Sequence, residues 1–306
     1  MTNVILVVHS FATFMYDEGK ERETMKTAVV IDSTAYLSKE EREKYNIHMV
    51  PLSVNLPTGT FDEEVTITAE QFYDQVRGAS EFPKTTQPPI GVFVEKFEEL
   101  AKEYDDIVSI HLSSGISGTY NGAIQAGDMV ENVNVYAFDS EVACYPQGMY
   151  AIRAAQLAAR GATGAEIIAD LESLRPSLGD YFIVDDLQHL QRGGRLSAAA
   201  ALIGGLLQVK PVLTFQNKVI VPFEKIRTRK KAMKRVEDLL AAEIPKYEKL
   251  QACIIHANCE VEGKAWMEEL QAKYPTVEFT LSYFGPVIGT HLGEGAIAIG
   301  WLEKRD

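Results

Sequence analysis

Cysteine is scarce in this chain. Its three thiols in 306 residues, Cys144, Cys253 and Cys259, are odd in number and lack metal-ligand spacing. That argues against a disulfide framework or a zinc site and predicts reduced thiols in a cytoplasmic setting. Long apolar runs are missing as well, so no integral membrane segment is expected. Basic residues are outnumbered, 30 against 43 acidic ones, for a net charge of −13. An acidic chain repels phosphate backbones, which excludes generic nucleic-acid binding. There is no internal repeat or low-complexity stretch, and no His/Asp/Glu set is spaced for a metal ion. What remains is an ordinary globular composition, 46% hydrophobic and 24% charged, long enough to bury a core in one large domain or two smaller ones.

From Lys26 onward, short apolar runs alternate with helical spacing. Strands are predicted at Ala28–Ile31, His48–Val54, Ile107–His111 and Val133–Phe138. Helices are predicted at Ala69–Gly78, Ile90–Glu103, Gly118–Met129, Gly148–Arg160 and Gly164–Ser173. Alternation of this kind implies a parallel α/β sheet. The second half reads differently, with strands at Tyr181–Val184, Val212–Gln216, Lys218–Pro222, Ala252–Ala257 and Val277–Tyr283 and a hairpin turn around Phe215–Lys218. Its helices are expected at Leu187–Gln191, Leu196–Leu207, Thr228–Lys246 and Gly263–Tyr274. The expected organisation is therefore an N-terminal α/β domain over 25–178 and a smaller C-terminal α/β domain over 179–306. Residues 1–24 are expected to be a non-native or disordered extension, with Met25 as the true initiator. The apolar Val4–Val8 has neither a basic flank before it nor a cleavage site after it, as a signal peptide would require.

The most informative segment is His111-Leu112-Ser113-Ser114-Gly115-Ile116-Ser117-Gly118-Thr119-Tyr120. A buried strand there empties into a turn rich in hydroxyls and glycine, followed by a helix start. Free N–H groups and hydroxyls make such a turn a ready anion site, and the same residues serve equally as a helix N-cap. Upstream, Lys84-Thr85-Thr86-Gln87-Pro88-Pro89 is stiffened by its prolines. It is either a rigid loop or a preorganised site facing the serine turn at the carboxyl edge of the sheet. Hydroxyls from two loops with no obligatory cation suit a neutral or singly charged oxygen ligand. Near the C-terminus, four glycines crowd around His291 in Gly285–Gly295, so the imidazole is expected in a fixed place, to bond a carboxylate or act as a base. Arg192-Gly193-Gly194-Arg195 lacks the Lys-Ser/Thr of a nucleotide loop. Lys225–Arg235 holds seven basic residues, either a solvated helix face or a docking patch.

Taken together, these segments resemble the DegV family of bacterial lipid-binding proteins. The matching pieces are Asp32-Ser33-Thr34-Ala35, Lys84–Pro88, Leu112-Ser113-Ser114 with Ser117–Tyr120, Phe138-Asp139-Ser140, and Arg192–Arg195. Gly205-Leu206-Leu207, Lys210–Leu213, Lys225 with Arg227-Thr228, and Gly289-Thr290-His291 complete the series, in family order over Met25–Asp306. The chain departs from the pattern at Thr86, where serine is usual, at Gly122, and at Glu294, where proline is common.

The resemblance implies a two-domain DegV-like fold that buries one long-chain fatty acid between its domains, with no other cofactor. Some members serve as the fatty-acid-binding subunit of bacterial fatty acid kinase. They present the carboxylate to a separate ATP-dependent kinase, which makes acyl phosphate for phospholipid synthesis. On that carry-over the protein is not itself an enzyme. Thr85 or Thr86 and Ser113 or Ser114 bind the carboxylate, with Ser117 nearby, and His291 orients or polarises it. Arg192 and Arg227 line the mouth or face the kinase. Each buried CH₂ contributes roughly 0.8 kcal/mol, so a chain of about sixteen carbons supplies on the order of 10 kcal/mol before losses. Leu196–Leu207, with small side chains at Ala198–Ala201, is either a tunnel wall or plain core packing. Two rival readings remain at this stage. One is a serine hydrolase with Ser114 as nucleophile and His291 as base, although it lacks the G-x-S-x-G elbow. The other is a phosphate- or nucleotide-binding module built on the serine turn and Arg192–Arg195.

Overall fold

The computed structural model describes residues 26–79, 81–196 and 210–306. The proposed extension at 1–24 and nearly all of the predicted helix Leu196–Leu207, including Gly205-Leu206-Leu207, lie outside them.

Strand β1 (Thr27–Asp32) is buried along its whole length. Alternate side chains explain why. Ala28 and Val30 join one apolar cluster with Phe93 and Phe97, while Val29 and Ile31 join another with Met149 and Tyr150. A strand covered on both faces reads as an unbroken apolar run, as parallel strands do. The sheet is indeed parallel, in the order β2 (Ile47–Val50), β1, β6 (Asp106–His111), β7 (Asn134–Asp139). Helices α3 (Ile90–Leu100) and α4 (Thr119–Gly127) supply the residues of one face, and α5 (Tyr145–Ala158) and α6 (Gly164–Leu174) those of the other. Capping boxes at Ser38/Glu41, Thr68/Gln71 and Thr163/Glu166 start α1 (Lys39–Tyr45), α2 (Ala69–Val76) and α6.

The predicted strand His48–Val54 is two strands. It breaks at Pro51, which has no N–H for a ladder, and the second piece enters a different sheet. That small antiparallel sheet runs β4 (Gly59–Asp62), β3 (Ser53–Leu56), β5 (Lys84–Thr86), so Thr85 and Thr86 lie on an edge strand rather than in a loop.

The third sheet is mixed and six-stranded, in the order β10 (Val219–Ile226), β9 (Lys210–Gln216), β8 (Gly179–Ile183), β13 (Ile297–Glu303), β11 (Leu250–His256), β12 (Val277–Tyr283). Only β11 and β12 pair in parallel. Helices α8 (Arg229–Glu243) and α9 (Glu260–Lys273) cover one face through Val236, Leu240, Trp266 and Leu270. The other face, through Phe182, Leu213, Cys253 and Ala298, belongs to the same apolar cluster as Val29 and Met149. Helix α5 contacts β1 and β6 on one side and β11 and β13 on the other, so one core spans both large sheets. The glycine-rich segment before His291 is helical: α10 (Pro286–Leu292) packs against α2, α7 (Gln188–Arg192), β3 and β5.

Candidate functional site

In the parallel sheet, β1 and β6 are neighbours whose chains leave toward opposite sides, to β2 and to β7. Ligands bind at such a switch point, beyond the carboxyl ends of the strands. Here the end of β1 is fixed by buried Asp32. Its Oδ2 accepts from the Leu112 N–H (2.9 Å), Gln147 Nε2 (3.1 Å) and His111 Nδ1 (3.1 Å), and its Oδ1 from the Thr34 N–H (3.0 Å) and hydroxyl (2.5 Å). His111 Nε2 in turn lies 2.7 Å from Ser109 Oγ. Asp32, His111 and Ser109 have the arrangement of a hydrolytic triad but are fully buried, so they hold the switch point rather than meet a substrate.

Beyond it lies a cavity of about 300 Å³, the lower end of the size range of ligand pockets. Its apolar wall includes Phe182 and Ala298 from the six-stranded sheet, Ile288 from α10, and Leu52, Leu112 and Phe284 from the segments that follow β2, β6 and β12. The polar lining includes Thr85, Thr86, Gln87, Ser117, Arg195 and His291. Thr85 Oγ1 lies 2.9 Å from His291 Nε2, which joins the edge strand β5 to α10. His291 Nδ1 is buried and has no hydrogen-bond partner among the described residues. The backbone of Gly193 presses on it, since a Cβ there would stand 2.1 Å from that nitrogen. Burial, reinforced by Arg195 and His189, lowers the His291 pKa to about 4, so the imidazole is neutral at physiological pH. A neutral ring that donates from Nε2 to Thr85 leaves the threonine O–H free for a ligand oxygen.

The serine turn divides its work. Ser113 Oγ donates to the Lys218 carbonyl (2.7 Å), and a Cβ on Gly115 would stand 2.2 Å from that same oxygen. Ser114 Oγ donates to Asp139 Oδ2 (2.5 Å), which is also paired with Lys218 Nζ (2.9 Å). Ser113 and Ser114 therefore dock the β9–β10 hairpin and are absent from the cavity lining, whereas Ser117 and Gly118 belong to it. Both hydroxyls expected at the head group are thus engaged with other parts of the protein. In the hydrolase alternative Ser114 and His291 would pair; here the Ser114 hydroxyl is bonded to Asp139 and the His291 ring to Thr85.

Arg192 is exposed, bonded to Gln188 Oε1 (3.2 Å) and lying over the Phe82 ring, and Arg227 is exposed on the hairpin side. Neither lines the cavity. Arg195 does, a residue the sequence placed only in the phosphate-binding alternative and not at the fatty-acid head. Its Nε donates to the Ile116 carbonyl (3.1 Å) and its Nη1 to the Gly193 carbonyl (2.5 Å). Among the described residues no carboxylate pairs with it. Burial lowers its pKa, yet a guanidinium keeps its charge in a protein. A half-buried positive charge thus shares the cavity lining with the hydroxyls, where the sequence reading required no cation. The second arginine of Arg192-Gly193-Gly194-Arg195 was the available signal, and the first was chosen instead. Among the described residues no cluster of three His, Cys, Asp or Glu side chains could hold a metal ion, and no helix is long and apolar enough to cross a membrane.

Comparison with known proteins agrees with this architecture. Residues 26–304 match the family model described as "Uncharacterised protein, DegV family". The protein DegV of Bacillus subtilis is 56% identical over 281 residues, 92% of this chain and all of that one. The crystal structure of B. subtilis DegV, described as a fatty acid binding protein, superposes with a TM-score of 0.88 at 55% identity, covering 92% of this chain and 100% of that one. A Thermus thermophilus DegV family protein, described for its fatty acid binding, superposes with a TM-score of 0.86 at 30% identity over the same shares. The chain belongs to the DegV family.

Proposed function

We propose that this protein is a non-catalytic carrier that binds one long-chain fatty acid in the cavity and presents its carboxylate to a separate fatty acid kinase in the cytoplasm. The observation that carries the reading is a cationic guanidinium with no carboxylate partner among the described residues, set with hydroxyls in a cavity whose wall is mainly apolar. Such a lining suits one anionic oxygen group on a hydrocarbon chain. The Thr85 hydroxyl, polarised by His291, and the hydroxyls of Thr86 and Ser117 donate to the carboxylate, and Arg195 supplies the countercharge. Partner binding falls to the exposed Arg192 and Arg227. The kinase would transfer the γ-phosphoryl group of ATP to a carboxylate oxygen, leaving ADP and an acyl phosphate. The similarity to the B. subtilis and T. thermophilus fatty-acid-binding proteins supports the first half of this reading.

Mass spectrometry of an organic extract of the freshly purified protein tests lipid binding. One equivalent of a long-chain fatty acid is expected. A protein that stays lipid-free after incubation with palmitate and oleate overturns the carrier reading. For the second half, Arg192→Ala and Arg227→Ala should keep lipid binding and lower acyl-phosphate formation by the cognate kinase, whereas unchanged turnover counts against presentation.

A further inference from the structure

Six acidic side chains are buried in the described fold: Asp32, Glu63, Asp106, Asp139, Asp180 and Glu237. Five have hydrogen-bond partners. Asp32 and Asp139 are bonded as described above. Glu63 accepts from Ser33, Tyr36 and the Val287 N–H, Asp106 from Asn134 and the Gly164 N–H, and Glu237 from Lys234, Lys273 and Tyr274. Asp180 is the exception: only 8% exposed, its carboxyl has no hydrogen-bond or ion-pair partner among the described residues, and it lines the cavity.

Its place in the fold is defined. Asp180 on β8 faces Gly300 on β13, which faces Cys253 on β11, so the three form one row across the sheet. Asp180 Oδ1 lies 3.6 Å from where a Cβ on Gly300 would stand, and the missing side chain leaves the carboxyl uncovered. The cavity lining beside it includes Ala143, Cys144, Phe182 and Ala298. This is the far end from the carboxylate site. Asp180 precedes Ile183 by three residues, about 10 Å of strand, whereas Arg195 and His291 lie beyond the carboxyl end of β8. The charges that bear on His291 are those of Arg195 and His189, and burial alone bears on Asp180.

We infer that Asp180 is a specificity-determining residue that selects acyl chains carrying a hydroxyl on their distal part. The inference rests on the carrier reading. A plain hydrocarbon chain buries the acid with no partner, which is costly, whereas a hydroxyl satisfies it. Burial pushes the Asp180 pKa up to about 7, so near neutrality the group can both donate and accept.

Displacement of a fluorescent fatty-acid probe tests this, using palmitate, α-hydroxypalmitate, ω-hydroxypalmitate, oleate and ricinoleate. The wild-type chain should favour ω-hydroxypalmitate over palmitate, or ricinoleate over oleate, by about tenfold, the value of one buried hydrogen bond. α-Hydroxypalmitate, hydroxylated beside the head, should gain nothing. Asp180→Leu should erase the preference and bind palmitate at least as tightly, and Asp180→Asn should keep most of it. Equal hydroxylated-to-parent ratios in the wild type and Asp180→Leu overturn the inference while leaving the carrier reading intact. Failure of palmitate and oleate to bind the wild type overturns both.

Discussion

At the scale of single residues, His291 depends on the absence of a side chain at Gly193. Gly193→Ala would drive a methyl group into the imidazole and break the contact with Thr85. Fatty-acid affinity should fall about tenfold, the value of one lost hydrogen bond, with the far-UV circular dichroism unchanged. Equal affinity would place the head group elsewhere. Glu63 carries a second expectation. Burial pushes its pKa from 4.5 up to about 8 in the fold. The folded state therefore holds a proton that the unfolded chain releases. Its stabilising contribution is complete below pH 4.5 and is lost as pH rises to about 8, at up to about 1.4 kcal/mol per pH unit. His291 runs the other way, its neutral form losing stability as pH falls from 6.5 to about 4. Urea titrations between pH 6.5 and 8 should show a shallower decline in Glu63→Gln than in the wild type. Parallel curves would mean that Glu63 is ionised throughout. Which hydroxyl serves which purpose was not legible in the sequence. Ser113, Ser114 and Ser117 are alike on paper, and what separates them is Lys218, 105 residues from Ser113, and Asp139, 25 residues from Ser114.

Among the elements, the hairpin turn was legible because Asn217 and Lys218 interrupt two apolar-rich runs, and both adopt positive φ (50° and 70°) between the paired Gln216 and Val219. Strand β13 and helix α10 escaped notice because their glycines look like loop residues. Gly300 sits in mid-strand since a Cβ there would stand 2.5 Å from Pro146 Cγ, and Gly289 sits in mid-helix since one there would stand 2.5 Å from the Tyr73 hydroxyl. These glycines answer to close packing, a tertiary demand that local spacing does not reveal. The same logic makes Gly115→Ala a test of how the serine turn docks the hairpin. With the Lys218 carbonyl in the way, the variant should lose roughly 1–3 kcal/mol of stability by urea denaturation. A neutral substitution would show that the hairpin can move aside at no cost.

For the molecule as a whole, the alternating pattern was enough to read a parallel α/β sheet in the first half and further α/β structure in the second, though not that its sheet is mixed. The sharing of one apolar core across both large sheets was not legible, because α5 looks like any amphipathic helix until both of its faces are seen covered. That shared core predicts cooperative unfolding. Differential scanning calorimetry should show a single transition that moves upward when fatty acid is added, in proportion to the logarithm of ligand excess. Two separate transitions would mean that the halves unfold independently despite the contact.

The bond between Thr85 and His291 joins groups 206 positions apart, and this sets a timetable for synthesis. At about 5–20 residues per second, the ribosome takes about 10–40 s to deliver the second partner after the first. Until that interval ends the cavity lacks the side that α10 supplies, although Phe182 and Arg195 of its lining are already in the chain by then. The nascent chain thus passes through a stage in which an apolar surface is on offer to chaperones, to neighbouring chains, or to the lipid itself.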